Sequence, residues 1–526
     1  MNASQEYIAQ PEAGVLSFNA VWILCGAALY LYLVMFIPPG TPIVFGGDQM
    51  IYLLNATRMI DGKVMYRDFF QFTTPGTEVV YFCLFNMLGP HAWVPRAALI
   101  VIGACLTWLT VYLSRKVIGG VTAFVPGILF LIFPLRRDLD GTHHWYSVLA
   151  VLAAVAVVIE KRTMRRLAVG GALCGLATWF TQARGILTVL AIATFLVWER
   201  RELNQNRRSL WKEVGCVVGT FAASVVATNA YFVWKAGWER FLYCTVTFGL
   251  RYYPADAKWN SLQIYMAEPP AVPDWTQLPA LATWLFIHAL LPMTYVVFIF
   301  RYRRARSGQS QEPWDRLMLL TIVGLFLFVG ALPAPAYSRL CPIAIPALIL
   351  LVWLMRSARG ITRVVVTAAA GCTILALGIL EPLARQHRTY LYLNTPSGRI
   401  AYSEPTPLYE KHRWLMSRTR PSEYFFEGLW AQMYFPLGLK NPARVPYVTS
   451  TDYTRPEEVL QVVDGLERHR VRTILWPLDL DLTPSIPSEG DHLQPLRDYL
   501  RRHSRAVKTF ADGDQAWERI ESPGAR

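Results

Sequence analysis

Charge is what this 526-residue sequence has little of. Asp, Glu, Lys and Arg make up 17% of it against 53% hydrophobic residues, which excludes one soluble domain of ordinary make-up and reads as a polytopic α-helical membrane protein. Acids are the scarcer sign, with 37 Asp and Glu against 51 Lys and Arg and a formal net charge of +14. In a soluble protein that excess would suggest a nucleic-acid partner. Here the basic residues cluster in short loops between apolar runs, where the positive-inside rule expects them, and no nucleic-acid binding is expected.

Cysteine is sparse too: there are eight, no two in a CxxC pair and none in the polar C-terminal part, which argues against a disulfide framework or a structural zinc site. No glycine-rich phosphate loop occurs anywhere in the chain, and the polar C-terminal part has no nucleophile elbow or dinucleotide fingerprint. No internal repeat is visible, so the inverted-repeat signature of many secondary transporters is missing. The polar tail from Met1 to about Leu16 lacks the basic region and cleavage site of a signal peptide.

What is present is a series of apolar runs. The first, Ser17 to Ile37, is long enough to span a bilayer and is ended by Pro38, Pro39 and Pro42. Further spans are expected near 96–114, 119–134, 145–160, 166–181, 185–198, 213–235, 279–300, 316–333, 338–355 and 362–380. This gives about eleven spans in a membrane domain of residues 1–380. The helices at 166–181 and 185–198 are short for a bilayer and are expected to be tilted, broken or recessed.

Two amphipathic pieces, Gln49 to Ile60 and Glu78 to Leu88, are read as interfacial helices rather than spans. On that reading the loops holding Arg115 and Lys116, Lys161 to Arg166, Arg200 to Lys212, Arg301 to Arg316 and Arg356 to Arg363 fall on one side of the membrane, the cytoplasm. The N-terminus is then cytoplasmic. Asp48 and residues 381–526 lie outside the cytoplasmic (inner) membrane. In the latter region, strand-like runs at 423–428, 444–448, 471–477 and 507–510 alternate with helical patterns at Pro456 to His469 and His492 to Arg502, which predicts a small extracytoplasmic α/β domain.

Ionisable residues at a membrane boundary are costly unless paired or wetted, so they mark candidate chemistry. Three sets qualify. The first is Asp48 after Gly46 and Gly47, with Arg58, Arg67, Asp68 and Glu78 further along the loop from Phe45 to Tyr81. A carboxylate at an apolar boundary can have a raised pKa and act as a general base; the alternative is a solvated loop acid. The second is RRDLDGTHH, where Asp138 and Asp140 with His143 and His144 could hold a divalent metal, bind an acceptor or orient Asp48. Their spacing matches no specific metal motif, so a metal is not required by the sequence, and internal pairing is the alternative. The third is the basic residues at outer helix ends: Arg184 in FTQARG, Arg251 beside Tyr252 in GLRYYP, and Arg339 in AYSRL. These could grip a lipid phosphate through bidentate bonds or snorkel to headgroups.

An outer Asp directly after the first helix, a following Tyr, the run DGKVMYRDFFQFTTPG at 61–76, an amphipathic segment, two helices and a second acidic outer loop resemble the GT-C superfamily of integral-membrane glycosyltransferases. The similarity is to the branch with protein O-mannosyltransferases and the lipid A aminoarabinose transferase. The resemblance covers roughly Ser17 to Pro254 and is most specific at 46–76. It implies a GT-C-like fold and inverting transfer of a sugar from a polyprenyl-phosphate donor to a glycan, lipid or protein acceptor on the outer face of the membrane. It places the family's first-loop acid on Asp48, as base or acceptor-orienting residue, and the second-loop acid on Asp138 or Asp140. Arg184 stands where many relatives carry Lys, Thr74 and Pro75 where they often have two prolines, and Gln49 where they have an acid. Tyr52 and Phe70 would face the sugar or the prenyl chain, or else anchor the loop at the interface. The reading from another class is a lipid or polysaccharide transporter, or a non-catalytic membrane partner with an outer sensor domain.

Overall fold

In the computed structural model, residues 12–44, 46–202, 207–265, 278–305, 312–356, 360–481 and 491–520 are described. Phe45 and the tail up to residue 11, both part of the expectations above, lie outside them.

The chain is a multi-pass membrane protein. Every segment expected to span is helical, from α1 (Glu12–Met35) to a last helix that runs to Gln386, past the expected boundary at 380. Among the described residues, six helices are long and apolar enough to cross a membrane, or seven if the bent pair Tyr337–Ile343 and Ile345–Met355 is one span. The sequence count of about eleven is therefore finer than length and hydropathy support. Part of the difference comes from short helices packed inside the bundle, such as His143–Val158, where packing replaces contact with lipid.

The loop after α1 turns back at once through a two-stranded hairpin, β1 (Phe36–Ile37) and β2 (Thr41–Pro42), because three prolines stop the helix. It then forms α2 (Gln49–Ile60), closed by Asp61 and the positive-φ Gly62, and α3 (Gly76–Leu88), closed by Gly89 and Pro90. At 13 residues, α3 is about 20 Å long and cannot cross a bilayer core of about 30 Å. Next come α4 (Trp93–Arg115), α5 (Val121–Leu135) and α6 (His143–Val158). The end of α5 is a π-helical turn containing Pro134, which releases the chain into the acidic loop of Asp138 and Asp140.

The hairpin α7 (Met164–Phe180) and α8 (Gln182–Glu202) packs against α9 (Arg207–Ala236); α8 is not short as expected, since its 21 residues are long and apolar enough to cross a membrane. A Cβ on Gly171 would lie 2.3 Å from the Val217 carbonyl oxygen, and one on Gly175 would lie 2.8 Å from that of Phe221, so glycine lets the two backbones touch.

The basic loops meet at one end of the bundle. Lys116 pairs with Glu160 at 2.5 Å, Arg162 with Glu199 at 3.1 Å and with Asp315 at 2.9 Å, and Arg316 donates to the Lys116 carbonyl at 3.0 Å. At the other end Arg136 of the acidic loop pairs with Glu381 at 2.6 Å.

The C-terminal part opens with the hairpin β3 (Leu391–Thr395) and β4 (Gly398–Tyr402). A four-stranded sheet follows, ordered β5 (Phe425–Glu427), β6 (Thr473–Trp476), β8 (Gln515–Arg519), β7 (Ser504–Thr509), with only the β5–β6 pair parallel. Helices Pro456–Arg468 and Gln494–His503 cover the sheet around Phe426, Val462, Trp476 and Leu496. The run at 444–448 is not a strand: Pro446 lacks the N–H a ladder needs, and the Val445 and Pro446 carbonyls accept from Asn441 instead. Backbone bonds tie this layer to the first loop, Val44 to Ala401 at 2.9 Å and Phe70 to Arg444 at 3.0 Å.

Candidate functional site

A cleft of about 1540 Å³ opens between the first loop, the acidic loop, residues 253–264, the turn before Arg339 and the C-terminal layer. Asp48 stands at its floor. It occupies the residue before α2, and its side chain is free of cap bonding, so the carboxyl faces the cleft and not the helix amides. Solvent reaches it through the opening, but the protein packed on every other side raises its pKa above the ordinary carboxylate value, with the Arg339 guanidinium opposing the rise.

Asp140 shares that floor. Its Oδ1 accepts the Gln49 backbone N–H at 3.1 Å, and burial, then Asp138 and Asp48, push its pKa well above the ordinary value while Arg96 pulls it down. Asp138 lies one layer deeper. It does not line the cleft, its Oδ2 has no hydrogen-bond partner, and burial with the neighbouring Asp48 raises it to about 7. Three acids thus sit within electrostatic reach of one another, an arrangement that disfavours ionising all three at once.

Buried polar contacts hold this floor in place. Gln49 donates to the Tyr81 hydroxyl at 2.8 Å, Tyr81 donates to the Gly141 carbonyl at 2.7 Å, and Arg96 donates to the Leu139 carbonyl at 3.0 Å. Tyr52 hydrogen-bonds His143 Nδ1, and both line the cleft. Arg184 is beneath the lining, where it donates to the His144 carbonyl at 2.6 Å and Ser147 Oγ at 3.0 Å.

Arg339 lines the wall above Asp48. It donates to the Ala334 carbonyl at 2.7 Å, to Asn260 Oδ1 at 3.0 Å and to the Tyr253 hydroxyl, which aims a fixed cation into the cavity.

Other candidates from the sequence are placed elsewhere. Arg58 is 4% exposed and donates to the Ala443 carbonyl at 2.8 Å and the Arg444 carbonyl at 3.3 Å, so it joins α2 to the C-terminal layer. Arg67 pairs with its neighbour Asp68 at 2.8 Å on the surface. Glu78 is fully buried below the cleft, accepts from Gln71 at 2.5 Å and Asn55 at 3.4 Å, and is raised to about 7 by burial. Arg251 is exposed, and Tyr252 is covered by the Arg455 guanidinium at 4.3 Å. The residue of that segment that reaches the cleft is Tyr253.

Sequence reasoning missed Arg96 and the whole far wall, which includes Trp430, Tyr447 and Tyr453. An arginine in the first turn of an apolar helix is a signal that could have found Arg96. Among the described residues, no three His, Cys, Asp or Glu side chains are grouped so as to hold a metal ion.

This architecture matches solved structures over almost its whole length. ArnT from Cupriavidus metallidurans bound to undecaprenyl phosphate superposes with a TM-score of 0.58 at 13% identity, over 96% of this chain and 99% of that one. The chain has the GT-C fold. Apo ArnT from the same organism gives a TM-score of 0.55 at 12% identity, over 96% of this chain and 98% of that one. The arabinofuranosyltransferase AftD from Mycobacteria gives 0.50 at 12% identity, over 95% of this chain and 40% of that longer one. No family model matches the sequence, and no curated protein matches it. In this GT-C fold the carboxyls of Asp48 and Asp140 and the guanidinium of Arg339 meet in one cleft at the end of the bundle opposite the basic loops.

Proposed function

We propose that the protein is a membrane glycosyltransferase that moves a sugar from a polyprenyl-phosphate donor to an acceptor on the outer face of the cytoplasmic membrane, with inversion. The observation that carries this reading is the cleft in which Asp48 and Asp140 stand below a fixed Arg339. The ArnT of matching fold is bound to undecaprenyl phosphate, which supports a lipid-phosphate donor here. Basic loops gathered at the opposite end of the bundle support the outward orientation.

In the reaction, an acceptor oxygen or nitrogen forms a bond to the anomeric carbon from the face opposite the phosphate. The bond from that carbon to the phosphate oxygen breaks, its electron pair leaves with the polyprenyl phosphate, and Asp48 takes the acceptor proton. Arg339 balances the charge that builds on the leaving phosphate. Asp140 is the second-loop acid, set to orient Asp48 or the acceptor, and Arg184 holds the turn of His143 and His144 beneath them.

The test is transfer from a polyprenyl-phosphate sugar by purified protein. Asp48→Asn is expected to lose at least about a hundredfold in kcat while still binding donor. Transfer at the wild-type rate by that variant would remove Asp48 from its role. Wild-type protein that transfers nothing but moves the lipid across vesicles would turn the reading to transport.

A further inference from the structure

The outer half of the cleft differs in chemistry from its floor. Trp259, on the segment that bears Tyr253 and Asn260, and Trp430, on the turn after β5, meet there edge to face with ring centroids 6.5 Å apart. They are the most open aromatic rings of the cleft, 43% and 37% exposed. Leaving two indoles in water forgoes the stabilisation that burying large apolar side chains gives, so their exposure on a cavity wall calls for an occupant.

Below them, Tyr447 and Tyr453 stack at 6.0 Å with their hydroxyls bonded at 3.0 Å, and Thr449 and Thr454 present hydroxyls 3.2 Å apart. The charged residues of this half, Asp256 and Glu458, are acids. Of the nearby cations, Arg455 lies over Tyr252 at 4.3 Å, while Lys258, 3.8 Å from Asp479, also lies over the Trp259 ring, 5.3 Å from its centre.

From this we infer that the outer half is an acceptor subsite for a saccharide, which stacks on the corner formed by the edge-to-face indoles of Trp259 and Trp430. A sugar ring has a face of C–H bonds carrying partial positive charge, which matches the negative face of an indole, while its rim of hydroxyls matches Tyr and Thr hydroxyls. The water-side position of Trp430, in the C-terminal layer, gives this half to the acceptor, because a polyprenyl donor has to keep its chain in the lipid. The assignment deepens the glycosyltransferase reading and rests on it.

The experiment titrates full-length protein in detergent with fluorescently labelled neutral oligosaccharides of arabinan, mannan and galactan, read by anisotropy. At least one neutral probe is expected to bind saturably. Trp430→Ala and Trp259→Ala are each expected to weaken the neutral probe about tenfold, with Trp430→Phe close to wild type. Failure of all neutral probes, or wild-type affinity in both alanine variants, overturns the subsite. Lost binding in Trp430→Ala together with undiminished transfer by Asp48→Asn would leave the subsite standing and remove the proposed base.

Discussion

Gly47 touches the Asp140 carboxylate so closely that a Cβ built on it would lie 2.4 Å from Oδ2. Its φ of +138° is also one that residues with a side chain rarely adopt. Asp140 has little room to retreat, since its other oxygen accepts the Gln49 N–H at 3.1 Å. Gly47→Ala is therefore expected to push the two acids of the floor apart and to reduce transfer at least about a hundredfold, because misplacement by about 1 Å costs that much in a positioned reaction. A melting curve near wild type with activity lost would locate the effect in the site.

Arg339 is the cation that holds down the pKa of Asp48 against the burial that raises it. Removing the positive charge leaves the raising influence unopposed. Arg339→Gln should then move the acid limb of kcat/KM to higher pH, in addition to lowering its plateau through the lost phosphate contact. A general base works only when deprotonated, so the wild-type rate falls as pH drops through the raised value. A pH profile with an unmoved acid limb in Arg339→Gln would separate the two groups.

The parts of this arrangement that local pattern controls were legible in the sequence. The amphipathic run bounded by Gly46–Gly47 and Asp61–Gly62 forms α2 over the residues expected, Gln49–Ile60. The three acids were also singled out, because an acid beside an apolar run stands out against its surroundings. What could not be read was long-range. Arg58 was grouped with Asp48 by nearness in sequence, but one turn of helix faces it toward carbonyls near residue 443. Tyr253 reaches the cleft and its neighbours Arg251 and Tyr252 do not, because a tight turn over Tyr253–Ala255 redirects the chain there. Trp430 and Tyr447 enter through packing of the C-terminal layer on the first loop, which no local pattern encodes.

Arg58 offers a prediction for stability. Its buried guanidinium satisfies the carbonyls of Ala443 and Arg444 and lies 5.4 Å from the centre of the Phe69 ring. Arg58→Ala removes charged hydrogen bonds and takes the buried Ala443 carbonyl's donor away, while the Arg444 carbonyl keeps the Phe70 N–H, a loss of about 3 kcal/mol. Limited proteolysis should then cut the C-terminal layer faster than in wild type. Arg58→Lys is expected to recover only part of the loss, since an ammonium does not reproduce the planar fork.

Glu427 ends β5 at the turn that carries Trp430, and it is 2% exposed. Its carboxyl accepts the Met433 N–H at 2.9 Å, yet burial outweighs that bond and raises its pKa from 4.5 to about 7. Between those two values the folded protein holds a proton that the unfolded chain has released. Stability from this group is accordingly full below about 4.5, declines as pH rises and is gone above about 7. Glu427→Gln keeps an oxygen to accept from Met433 and has no charge to bury. It is expected to raise the melting temperature in detergent at pH 8 by roughly 2 °C and to leave it almost unchanged at pH 4.5. Since the same turn holds Trp430, the variant should also bind a neutral oligosaccharide at pH 8 at least as well as wild type. A melting temperature lowered at pH 8 would mean that the ionised carboxylate, through its bonds to the turn, is the stabilising form.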